Sequence, residues 1–254
     1  MLRTIATLLY VGYLMIVNIP LVLYWKFSQK IGLRQKFQGP QTVVNIWARR
    51  MLRLAGVQLE RSGEENIVTR PALWVGNHQG IVDTILILSE LGPLKSIVAK
   101  KEVEKFPVAN TWMRCFDCIF MDRGNPRETL KSIRKAQKLL ENGKSVVIFP
   151  EGTRSRGPEM LPFKPGAFRC AMKAKVAVVP FVIDESYNVF EANGRFKKAK
   201  VKLSILPAIE TVDYPNMNTY DFSAMVQQQI QDELYRLRGG CEGERKVWTK
   251  QDYE

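Results

Sequence analysis

Ala72-Leu73-Trp74-Val75-Gly76-Asn77-His78-Gln79-Gly80-Ile81-Val82-Asp83 changes character halfway along. Residues 72 to 76 form a short apolar run suited to a buried strand. Residues 82 to 91 form an apolar stretch of helical length that stops at Gly92-Pro93. A strand, a loop and a helix in that order make up one half of an α/β unit. The loop carries His78, the only histidine in 254 residues. Imidazole chemistry near neutral pH therefore runs through His78, and multi-histidine metal sites are excluded. Asp83 stands five positions later. On one continuous helix two such side chains point about 140° apart. They meet only if His78 lies on the loop and Asp83 in the first turn of the helix, where the helix dipole favours a carboxylate. Gly80 loosens the loop between them. The plainer reading makes His78 a helix cap and Asp83 the acceptor of a first-turn amide.

The same construction recurs further on. Lys144-Ser145-Val146-Val147-Ile148 is a β-branched strand, and Phe149-Pro150-Glu151-Gly152-Thr153-Arg154-Ser155 follows it. A glycine at the carboxyl end of a strand lets backbone amides approach a ligand, and Arg154 offers a fork for phosphate or carboxylate. The plainer alternative is a surface turn in which Glu151 and Arg154 form a weak exposed ion pair. Two more strands are predicted: Cys118 to Met121, leading to Arg123, and Val176 to Ile183. In an open parallel sheet the carboxyl ends of the strands share one edge, where ligands bind. His78, Arg123 and Arg154 then converge. A last strand is predicted over Lys200 to Leu206. Amphipathic helices are predicted over residues 126 to 142 and 222 to 237, the second burying Phe222, Met225, Val226, Ile230 and Leu234. Strands alternating with helices from Val57 to Leu206 make the expected fold class α/β, with a mostly parallel central sheet flanked by helices.

Residues 4 to 25 carry no charge, enough for a helix crossing a roughly 30 Å hydrocarbon core. Asn18 and Pro20 interrupt the run, which leaves a kinked span and a helix lying in the interface both open. Tyr24 and Trp25 suit the headgroup level. Lys26, Lys30, Arg34 and Lys36 follow, which by the positive-inside rule places the rest of the chain on the cytoplasmic face of the cell membrane. In a second segment Val43, Ile46, Trp47, Arg50 and Leu54 fall near one stripe that suits anionic lipid or the first helix. The expected organisation is N-terminal membrane-associated helices over 1–56, an α/β domain over 57–238 and a polar tail over 239–254.

A hydrophobic content of 46% argues against disorder, and a net charge of +13 points to anionic partners. Lys131, Lys135 and Lys138 line one side of the predicted helix over residues 126 to 142, as a docking surface or simply a solvated face. Cys115 and Cys118 make a C-x-x-C, but no second pair completes a zinc site, and Cys118 opens a strand where a redox motif would open a helix. Reduced thiols are the simpler reading. No metal or cofactor is expected.

Taken together, these blocks resemble the glycerolipid acyltransferases of the 1-acylglycerol-3-phosphate (lysophosphatidate) type. The N-H-x-x-x-x-D block is matched by Asn77, His78 and Asp83, and the F-P-E-G-T-R-S block in full from Phe149 to Ser155. The block before Arg123 keeps Ile119 and Phe120 but has Asp117 where the family usually has glycine. Val179-Pro180-Phe181 corresponds to a fourth block and Lys100-Lys101-Glu102 to a K-x-E element. Phe163-Lys164-Pro165-Gly166-Ala167 keeps Lys164 of a further motif and changes its neighbour.

The resemblance implies an amino-terminal two-helix anchor and direct acyl transfer from acyl-CoA or an acyl-carrier protein to a lysophospholipid hydroxyl. His78 would act as general base and Asp83 would orient it. Lys100, Arg123 and Arg154 are the candidate phosphate grips and Lys164 a weaker one. Glu151, Gly152 and Thr153 belong to the same substrate-binding loop. Backbone amides near Gly76 to His78 or at Gly152 are candidates for an oxyanion hole. Ser155 has no second imidazole to activate it, so a serine triad is unsupported. Lysophosphatidic acid is the expected acceptor, with glycerol 3-phosphate or another lysolipid as alternatives. Nucleic acid is not an expected partner, because the basic charge comes with no recognised binding fold.

Overall fold

A computed structural model describes residues 1–17, 19–20, 23–24, 27, 39–93, 95–106, 109–110, 113–114 and 116–240. Seven strands form the sheet: β1 Val57–Ser62, β2 Ala72–Gly76, β3 Ser96–Lys100, β4 Ile119–Met121, β5 Val146–Ile148, β6 Ala177–Asp184 and β7 Ala199–Ile205. Their order across it is β1-β7-β6-β2-β5-β3-β4. Every pairing is parallel except β6 with β7, which is antiparallel. The expected α/β class with a mostly parallel sheet is what the chain adopts.

Helices cover both faces, as a parallel sheet requires. Along β2, Leu73 and Val75 face one layer while Ala72 and Trp74 face the other. The first layer is closed by α4 (Pro126–Glu141), α5 (Arg169–Ala174) and α6 (Thr219–Leu237), through Ile133, Leu140, Cys170, Phe222 and Ile230. The second is closed by α2 (Gly39–Ala55) and α3 (Val82–Glu90), through Leu52, Ala55, Leu86 and Ile87. Start signals fix two helices locally. Asn125 accepts the amides of Arg127 and Glu128 with Pro126 at the first helical position, and Asn218 caps α6 in the same way. On α6 four of the five expected core residues are buried, and Met225 packs partly exposed against them.

The amino-terminal segment departs from expectation in two respects. The first helix, α1, is Leu2–Val17, 16 residues long. At ~1.5 Å per residue it reaches about 24 Å, short of the roughly 30 Å hydrocarbon core. Among the described residues no helix is long and apolar enough to cross a membrane. Asn18, Trp25 and the cations Lys26, Lys30, Arg34 and Lys36 lie outside the described residues. The helix is tied to the domain: Arg3 donates to the Leu54 carbonyl at 2.9 Å, and the Thr4 hydroxyl accepts the Phe196 amide at 3.1 Å. In α2 the buried stripe is Val44, Ala48, Leu52 and Ala55, one residue over from the expected one, and Val43 and Ile46 are exposed. Both sides of α2 carry apolar residues, so periodicity alone did not determine which side would meet α3. Of the polar tail, residues 241–254 also lie outside the described residues, as do Cys115 and Cys241.

Candidate active site

β2 ends at Gly76, and the chain then loops across the sheet edge before entering α3. Asn77 fixes the exit. Its amide donates to the Ile183 carbonyl at 2.7 Å and its carbonyl accepts the Ile183 amide at 2.8 Å, so a buried side chain continues the ladder between β2 and β6. Removing it would orphan two buried backbone groups. The next residue is His78. Asp83, fully buried in the first turn of α3, accepts from His78 Nδ1 at 2.8 Å through Oδ2. The same oxygen accepts the amides of Gln79 at 2.7 Å and Gly80 at 2.8 Å. The loop-then-first-turn arrangement that the spacing requires is the one observed. Because an ionised carboxylate only accepts, Nδ1 is the donor in this contact, and a neutral ring held this way has its lone pair on Nε2.

The loop after β5 straps this one in place. Glu151 Oε1 accepts the His78 amide at 2.6 Å and Oε2 the Leu161 amide at 3.0 Å. Ser155 and Arg156 donate their amides to the carbonyls of His78 and Gln79, at 2.7 and 3.1 Å. The Phe149 ring stacks on the imidazole with centroids 4.0 Å apart. Burial pushes the Glu151 carboxyl up to about 8; the two amides pull it down, and the charge of Asp83 pushes it further up. Glu151 therefore supports the histidine loop and does not pair with Arg154. The Ser155 hydroxyl donates to the Gly157 carbonyl at 3.1 Å. Two amides considered for an oxyanion hole are already spent, that of His78 on Glu151 and that of Gly152 on the Phe149 carbonyl.

Beside Phe149 a cavity of about 360 Å³ opens over the carboxyl ends of β3, β4 and β5. Val98, Met121, Ile133 and Ile148 give it an apolar wall, and Arg123, Lys164 and Arg169 bring three cations to it. None of the three has an ion-pair partner among the described residues. Burial lowers the Arg123 guanidinium from its ordinary value, against the raising effect of the Glu102 charge. An uncompensated, partly buried cation favours an anionic ligand. Gly152 adopts φ +72°, and a Cβ there would meet the Lys164 ammonium at 3.1 Å, so the glycine makes room for that side chain.

The other expected residues lie apart from this cluster. Lys100 is exposed, pairs with Glu102 at 2.9 Å and does not line the cavity. Thr153 is exposed on the outside of its loop. Arg154 reaches back towards α3, where Nη1 donates to Glu191 Oε1 at 2.7 Å. Glu191 and Arg169 belong to no block that spacing had marked.

The chain is similar to known proteins along most of its length. The acyltransferase family model matches residues 58–184, from β1 to the end of β6. A 1-acyl-sn-glycerol-3-phosphate acyltransferase of Haemophilus influenzae is 30% identical over 206 residues, covering 80% of this chain and 85% of its own. A probable enzyme of the same name from Mycoplasma pneumoniae is 28% identical, over 73% of this chain and 71% of its own. The crystal structure of the 1-acyl-sn-glycerophosphate (LPA) acyltransferase of Thermotoga maritima superposes with a TM-score of 0.77 at 24% identity, covering 98% of this chain and 99% of that one. That likeness establishes the fold. With the blocks around His78 and Glu151 inside the matched region, the chain belongs to the 1-acyl-sn-glycerol-3-phosphate acyltransferase family.

Proposed function

We propose that the protein transfers a fatty acyl group from a thioester to the free hydroxyl of 1-acylglycerol 3-phosphate, giving phosphatidic acid for phospholipid synthesis. The observation that carries this reading is the His78–Asp83 pair beside an apolar cavity lined by three cations that have no ion-pair partner among the described residues. His78 Nε2 removes the hydroxyl proton as that oxygen attacks the thioester carbonyl. The tetrahedral intermediate then collapses, the carbon–sulfur bond breaks, and the departing thiolate takes the proton back from Nε2. Asp83 holds the tautomer and stabilises the imidazolium formed in between. Glu151 and Gly152 shape the loop that holds the base; Arg123 and Lys164 meet the acceptor phosphate from the cavity, and Arg154 meets it from the α3 side of the same loop. Lys100 and Thr153 are peripheral to that role.

The donor in this reading is acyl-CoA or an acyl-carrier protein, and the exposed Lys131, Lys135 and Lys138 of α4 suit either anionic carrier. Leu2, Ile5, Leu9 and Ile16 leave an apolar outer side on α1, all at least half exposed. That supports an anchor lying in one leaflet, and the run of basic residues after it in the sequence favours the cytoplasmic face. Removing residues 1 to 25 should then release the protein from membranes in high salt; a truncated chain that resists carbonate extraction would mean another element is the anchor.

The deciding experiment offers the purified full chain a panel of acyl thioesters with lysophosphatidate, glycerol 3-phosphate, another lysophospholipid or monoacylglycerol. Free thiol and lipid product are measured together. Matched release of thiol and phosphatidic acid with lysophosphatidate supports the reading. Preference for glycerol 3-phosphate or another lysolipid moves the acceptor, and thiol release without lipid product contradicts acyl transfer.

A further inference from the structure

Glu191 lies just after the turn that follows β6, with its side chain only 4% exposed. One of its oxygens serves two parts of the site at once. Oε1 accepts the Ile81 amide at 2.7 Å, at the start of α3, and Arg154 Nη1 at the same distance. The second oxygen, Oε2, is buried with no hydrogen-bond partner among the described residues. It occupies the space beside Gly80, where an added Cβ would lie 2.7 Å from it. A side chain at Gly80 would have to push this carboxylate aside. Arg154 is held through Nη1 alone, and its other guanidinium nitrogens have no partner among the described residues.

We infer that Glu191 is a positioning residue: it ties the Arg154 guanidinium to the amide that starts the Asp83 helix and so sets the acceptor phosphate at a fixed distance from the His78 base. The inference rests on the reading that Arg154 faces that phosphate. The physical argument is one of preorganisation. A free arginine side chain loses considerable rotamer freedom when it grips a ligand. Anchored at one nitrogen, Arg154 has lost most of that freedom before the ligand arrives, and its open edge still has donors for phosphate oxygens. A carboxylate left with one unpaired oxygen in a buried place is costly to keep. That cost fits a group retained for geometry.

Glu191→Gln removes the charge opposite Arg154 while leaving an amide oxygen that can still accept from Ile81, so it weakens the Arg154 tether more than the Ile81 one. The acceptor KM should rise roughly tenfold, the size of one contact of about 1.4 kcal/mol, with kcat and the thioester KM nearly unchanged. The rise should vanish in an Arg154→Ala background, since the tether then has nothing to hold. Glu191→Ala frees the Ile81 amide as well and should lower kcat too. A uniform loss on both substrates, or full additivity with Arg154→Ala, would show that Glu191 merely supports the fold. If Glu191→Gln does not fold, Glu191→Asp tests the tether by reach instead of charge: its shorter arm draws the carboxylate away from Arg154, and the acceptor KM should again rise with the thioester KM unchanged. If Arg154→Ala leaves the acceptor KM untouched, the phosphate reading of Arg154 and this inference fall together. If Arg154→Ala raises it and Glu191→Gln does not, only the inference falls.

Discussion

The backbone and ring of His78 are held by carboxylates on either side, whereas the cations beside the cavity have no ion-pair partner among the described residues. Asp83 Oδ2 alone takes the imidazole and two amides, and Glu151 takes one amide from His78 and another from Leu161. Arg123, Lys164 and Arg169 stand around an apolar hollow with no carboxylate bound to them among the described residues. The first arrangement holds a base in one orientation before any substrate binds. The second leaves charge to be neutralised by whatever anion arrives. Substitutions on the base side should therefore change kcat, and those on the cation side should change KM.

The largest effect is expected at the base. His78→Ala should leave a folded protein whose kcat falls at least about a hundredfold, the low end for acid–base catalysis. Near-normal turnover would remove the distinction between the two sides altogether. Next comes Arg154→Ala, which should raise the KM for lysophosphatidate about ten- to hundredfold, the loss of one charge-assisted contact. Arg154→Lys should recover part of it. Equal losses on lysophosphatidate and on monoacylglycerol would assign Arg154 to loop support and phosphate recognition to Arg123 and Lys164. Lys100→Ala, by contrast, should change either parameter by less than about threefold, since its partner is an exposed glutamate.

The smallest effect sharpens the comparison through pH. Burial raises the folded-state Glu151 pKa to about 8 from an ordinary 4.5. Between those values the folded protein keeps a proton that the unfolded chain gives up. Stability should therefore fall as pH rises through that window and level off above it. Glu151→Gln has no such proton. Melting temperatures of the two proteins, followed from about pH 5 to 9, should show the wild type losing ground to the variant as pH rises. Parallel curves would mean that Glu151 is ionised in the fold throughout, held by its two amides.

How much of this was legible in the sequence depends on the range of each contact. The His78–Asp83 pair was readable because the strand, Gly80 and the helix that bring the two together lie within a dozen residues. The strand ends were readable because β2, β5 and β6 are buried on both faces and so run apolar without interruption. β3 was harder: it is only the five residues Ser96–Lys100, flanked by Lys95, and has little pattern to show. The apolar run at the amino terminus signalled membrane, but its length did not reveal that α1 would bond to Leu54 and Phe196. Glu191 was invisible, since its partner Arg154 lies 37 residues earlier in the chain and no local spacing links them.

The central claim is that Asp83 fixes the ring so that Nε2 is the base, and the chain offers an unusually direct way to test it. With one histidine in 254 residues, ¹⁵N-histidine labelling of the full chain in detergent yields a single imidazole spin system. At a pH where the ring is neutral, the shifts and couplings identify which nitrogen is protonated. The account predicts the Nδ1–H tautomer in the wild type, with an unprotonated Nε2, and a mixture of tautomers in Asp83→Asn. A wild-type ring protonated at Nε2 would contradict it.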